Sequence, residues 1–65
     1  MYMLVESPKS GEAKTAFEVL DEVFGTDEFS SGQAINSLAV GMEVDNGQAT
    51  SVFNSLVRTN NIGEV

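Results

Sequence analysis

The side chains best equipped to read a polar surface fall in one acid-free stretch. Between Asn46 and Gly63 there is no Asp or Glu, although the whole chain carries ten. Asn46, Gln48, Thr50, Ser51, Asn54, Ser55 and Arg58 supply donors and acceptors there. Asn and Gln amides can form paired bonds with an adenine edge, and Ser, Thr and Asn can reach phosphate oxygens. Small polar residues of this kind also make an ordinary solvated helix face. Residue types alone leave both readings open.

Other chemistry is thinly represented. The chain has no His and no Cys, so nucleophilic triads, zinc sites and disulfide frameworks all lack their residues. Asp21, Glu22, Asp27 and Glu28 could form paired carboxylates or a divalent-ion site. They sit on or beside an amphipathic helix, where acids usually form a solvated face. Gly11, Gly32 and Gly47 are isolated and build no phosphate loop. Met1, Met3 and Met42 read as initiator and gap-filling core. The expectation is a protein without enzymatic activity, cofactor or metal.

Sixty-five residues make one domain, residues 1–65, with a thin core. Three bases (Lys9, Lys14 and Arg58) leave a net charge of -7. The apolar content is that of a folded chain and not of an acidic disordered tail. Two explanations of the acidity fit. The chain belongs to a salt-loving, halophilic cytoplasm, or its acidic face is an interaction surface. Residues 1–28 hold seven acids and two lysines, whereas residues 29–65 hold three acids and one arginine. Met1 to Val5 is apolar but short, no basic segment precedes it, and no long apolar run follows. A signal peptide and a membrane span are not expected, and a cytoplasmic address is.

Period and punctuation place the elements. Tyr2–Val5 suits a short strand, and Ser7-Pro8-Lys9-Ser10-Gly11 ends it. Ala13, Ala16, Phe17, Leu20, Val23 and Phe24 recur at helical spacing and predict a helix over residues 12–24. Ser10 is its expected N-cap and Gly25 its stop. Ser30 with Gln33 forms a capping box, and Phe29 with Ala34 has staple spacing. Ala34, Ile35, Leu38, Ala39 and Met42 give the second buried stripe, which Gly41 weakens or ends. Asp45, Gln48 and the pair Val44 and Ala49 repeat the same opening. Ala49, Val52, Phe53, Leu56 and Val57 form the third stripe. Asn60-Asn61 suits a left-handed helix end, and Ile62–Val65 can extend and pair with Tyr2–Val5.

The stretch Phe29–Val65 resembles the helix-turn-helix core of winged-helix DNA-binding domains. The entry is Phe29-Ser30-Ser31. The inner positions of the first helix are Ala34, Ile35 and Leu38. Asp45 caps the second, whose stripe is Ala49, Val52, Phe53 and Leu56, and Asn60-Asn61 turns toward Ile62. With the helix over residues 12–24, the resemblance covers about 50 residues of a loose apolar pattern. The link from Val40 to Val44 is longer than the family's tight turn. Any wing lacks its return strand unless the amino-terminal strand takes its place.

The resemblance implies a mainly α, winged-helix-like fold. It has three helices in a helix-turn-helix bundle and a small two-stranded sheet from the chain ends. It also implies a small transcriptional regulator whose third helix enters the major groove of double-stranded DNA. The outward residues would be Asn46, Gln48, Thr50, Ser51, Asn54, Ser55 and Arg58. The alternative is an acidic interaction or dimerisation module on the same scaffold, without DNA binding. Its partner would be a second copy or another protein, met through an apolar patch near Tyr2, Met3, Leu4 or Phe29.

Overall fold

The computed structural model describes all 65 residues. Strand β1 (Tyr2–Leu4) is followed by helices α1 (Gly11–Phe24), α2 (Ser31–Gly41) and α3 (Asn46–Arg58), then strand β2 (Ile62–Glu64). The fold is mainly α: three helices, with the two chain ends paired as an antiparallel sheet. Tyr2 lies opposite Glu64, Met3 opposite Gly63 and Leu4 opposite Ile62. Both strands stop one residue short of the expected segments.

Each helix buries the stripe that its spacing dictates. Ala16, Leu20, Phe29, Ala34, Leu38, Ala49, Val52, Phe53, Leu56 and Ile62 form one core cluster. Every buried residue is apolar. A fully buried Leu, Ile or Phe side chain contributes roughly 1.5–3 kcal/mol relative to exposure. Five such side chains (Phe29, Leu20, Leu38, Leu56 and Ile62) therefore carry most of the fold.

The sheet is pinned to this core on its inner face. Tyr2 meets Phe53 edge to face at 5.1 Å between ring centroids, and Phe24 stacks on Phe29 at 4.6 Å. Phe29 also makes an isolated bridge to Tyr2, so β1 lies between Phe29 and β2.

The helix ends follow local hydrogen bonding. At α2 the Ser30 hydroxyl accepts from the Gln33 N–H at 3.1 Å, and the Gln33 side chain accepts from the Ser30 N–H at 2.8 Å. This is the expected capping box. The matching start of α3 is only half made. Asp45 accepts from the Gln48 N–H at 2.7 Å, but the Gln48 side chain does not return to Asp45. Ser10 occupies the N-cap of α1 without a side-chain bond.

Helices α2 and α3 close alike. Asn60 adopts φ 61°, while the Asn60 and Asn61 N–H groups donate to Val57 and Leu56 carbonyls. Glu43 adopts φ 57°, while the Glu43 and Val44 N–H groups donate to Val40 and Ala39 carbonyls. This is the paired bonding of a left-handed helix cap. A Glu in that position departs from the usual Gly or Asn.

Two core expectations are corrected. Val23, expected in the buried stripe of α1, is 57% exposed. Val19, one turn earlier, packs against the core instead, where α1 meets α2 at Gly41. Phe29, expected near an exposed apolar patch, is wholly buried, because its ring stacks on Phe24 and its backbone pairs with Tyr2. Helix α2 ends at Gly41, leaving Met42 half-buried as its C-cap.

Candidate nucleic-acid interface

Helix α3 carries all seven candidate residues, but they do not form one uniform surface. Its core side is set by Ala49, Val52, Phe53 and Leu56. At 3.6 residues per turn, the line farthest from that side runs through Gly47, Ser51, Asn54 and Arg58. Ser51, Asn54 and Arg58 are exposed, and none of their side chains is committed to a hydrogen bond within the chain. Ser51 and Arg58 are about 10 Å apart along the axis at 1.5 Å per residue, a span that fits within a groove roughly 12 Å wide.

The remaining four candidates are less free. Thr50 is half-buried, and its hydroxyl donates to the Asn46 carbonyl at 2.7 Å. Asn46 is exposed beside it. Ser55 is half-buried, and its carbonyl accepts from the Thr59 hydroxyl at 3.0 Å. Gln48 is exposed, but its side-chain amide donates to both carboxylate oxygens of Glu12, at 3.4 and 3.3 Å. That contact joins the first turn of α3 to the first turn of α1.

The consequence is an uneven charge along α3. Asp45 caps its first turn, Glu12 is held beside that turn by Gln48, and Glu43 closes the preceding helix. Arg58 stands alone in the last turn, where a cation complements the helix dipole. The carboxyl-terminal half of the outer line is thus neutral to positive, and the amino-terminal end is acidic.

Glu12 is the residue that sequence reasoning missed. It is 36 positions from Gln48, so no local spacing signals the contact. A second feature was partly visible. Alternation along β1 sends Tyr2 and Leu4 to the core and Met1, Met3 and Val5 to the outer face. Met1 is 53% exposed, Val5 62% and Val65 58%. The Val65 N–H donates to the Met1 carbonyl at 2.9 Å, which places Val65 beside them. An unbroken apolar run at residues 1–5 was the signal that both faces of the strand are apolar.

No three acidic side chains gather in a way that could hold a metal ion, and no pocket indents the surface. No helix is long and apolar enough to cross a membrane. Comparison with known proteins gives no match, whether to a family, to a curated protein or to a solved structure.

Proposed function

We propose that this chain is a small DNA-binding transcriptional regulator acting through the outer surface of α3. One observation carries the reading. Ser51, Asn54 and Arg58 form an exposed, uncommitted line free of acids, on a chain that otherwise carries ten of them. Asn54 has the amide geometry for an adenine edge, Arg58 suits a phosphate or a guanine, and Ser51 suits either class of contact. The acidic end of α3 directs the contact to its carboxyl-terminal half. The winged-helix resemblance supports the same role, with β1 taking the place of a return strand beside β2. A cytoplasmic address goes with that role.

The test is a gel shift with duplex DNA of mixed sequence at low and at molar salt, paired with sedimentation. A shifted band that weakens in Asn54→Ala and Arg58→Ala, with helical circular dichroism retained, is the expected result. An unmoved band at every salt concentration removes the proposal.

A second reading rests on the outer face of the sheet. Met1, Met3, Val5 and Val65 offer an apolar surface to a second copy or to another protein. A stable oligomer in sedimentation that never retains DNA would favour that reading over the first.

A further inference from the structure

The fixed carboxylates at the head of α3 bear on how its outer face could meet a polyanion. Glu12 is held by two contacts from the Gln48 amide, at 3.3 and 3.4 Å. Gln48 is three residues before Ser51 and seven before Ser55, so all three share one side of the helix. The Glu12 charge therefore flanks the outer line and cannot swing freely away from it. Asp45 adds a second negative charge at the cap, held by the Gln48 N–H at 2.7 Å. The one base on this helix, Arg58, is thirteen residues from Asp45, about 20 Å along the axis.

Resting on the DNA-binding reading, we infer that salt switches this surface on, with Glu12 as the charge that sets the threshold. Ordinary DNA-binding faces lose affinity with salt because each neutralised phosphate releases counterions, giving a slope of about -0.9 per contact in log–log form. Arg58 supplies one such contact. Against it stand Glu12, Asp45 and a chain of net charge -7. Their repulsion of phosphates acts over about 10 Å at 0.1 M salt and only about 3 Å at 1 M. Salt removes more repulsion than attraction, and the affinity rises with ionic strength. The base-edge contacts of Ser51 and Asn54 are short-ranged and remain.

The experiment is fluorescence anisotropy of a labelled mixed-sequence duplex, titrated with the full chain between about 0.1 M and about 1 M potassium chloride, the range over which screening changes most. Glu12→Gln keeps an acceptor for the Gln48 amide and removes the charge. Glu18→Gln, on the exposed side of α1, changes the net charge equally without touching α3. Affinity of the unaltered chain is expected to rise about tenfold across the range, the reverse of the usual counterion slope. Glu12→Gln is expected to bind about threefold tighter at the low end and equally at the high end, where screening hides the charge. Glu18→Gln should follow the unaltered chain. A fall of affinity with salt, or equal effects of the two substitutions, overturns the inference while leaving DNA binding intact. Absence of binding in every variant at every salt concentration overturns the DNA reading itself.

Discussion

Tyr2 and Phe29 exchange both of their backbone hydrogen bonds, at 2.7 and 2.9 Å. The pair ties the first strand to the segment just before α2, on the side of β1 opposite β2. The two side chains extend the tie into the core. The Tyr2 ring meets Phe53 of α3, and the Phe29 ring stacks on Phe24 of α1. One backbone pair thus links the sheet to all three helices, and the position of α3 depends on it.

Phe29→Ala should accordingly be the most damaging single truncation. Removing a buried Phe costs about 3–5 kcal/mol. At roughly 0.05–0.15 kcal/mol per residue, a chain of this size holds little more than that in total. The expected outcome is loss of the cooperative urea transition, followed by far-ultraviolet circular dichroism at 25 °C. A sigmoidal transition with a midpoint close to that of the unaltered chain would contradict the central place given to this ring.

The two helix starts give a sharper comparison. Gln33 returns its side chain to Ser30, whereas Gln48 sends its side chain to Glu12. Gln33→Ala should cost about 0.5–1 kcal/mol through the lost capping-box bond. Gln48→Ala gives up only an exposed contact with a carboxylate, and its cost should stay within about 0.5 kcal/mol. Chemical denaturation of both variants measures the difference. Equal losses would mean that the two starts are built alike after all.

That contrast also marks how far the sequence could be read. Apolar spacing located all three helices to within about a residue, because amphipathic periodicity is a local property that the core obeys. The Ser30–Gln33 box and the left-handed Asn60 were legible for the same reason: both partners lie within one turn. The Glu12–Gln48 contact was not, since it depends on how α1 and α3 pack. Val23 was misplaced because a helical stripe does not say where the neighbouring helix ends. Of the candidate face, the sequence identified the helix and its outward residues. It did not separate the free line Ser51, Asn54 and Arg58 from the engaged Gln48 and Thr50.

Glu43 offers a route to a more stable chain. Its φ of 57° places an L side chain in the left-handed region, at a helix end that normally takes Gly or Asn. That conformation costs a non-glycine residue about 1–2 kcal/mol. Glu43→Gly should raise stability by about 0.5–1 kcal/mol, the gain being reduced by the greater freedom of Gly in the unfolded chain. Thermal unfolding would record a higher midpoint. A lower midpoint would show that the Glu43 side chain contributes more to the turn than its backbone strain removes.

Gly41 and Val19 test the α1–α2 crossing. A Cβ placed on Gly41 would lie 2.5 Å from one methyl carbon of Val19 and 3.3 Å from the other. Valine is stiff at χ1 within a helix, so those methyls cannot rotate aside cheaply. Gly41→Ala gains up to about 1 kcal/mol in helix propensity, but overpacking at a close contact typically costs about 1–3 kcal/mol. The expected net result is destabilisation. Val19→Ala removes both methyls, so Gly41→Ala in that background should lose its penalty and become neutral or stabilising. A double-mutant cycle from urea midpoints gives the coupling between the two sites directly. Strong coupling is expected because the two residues touch. Additive effects would mean that the helices can slide apart at no cost, and that the crossing does not fix the orientation of α2 against α1.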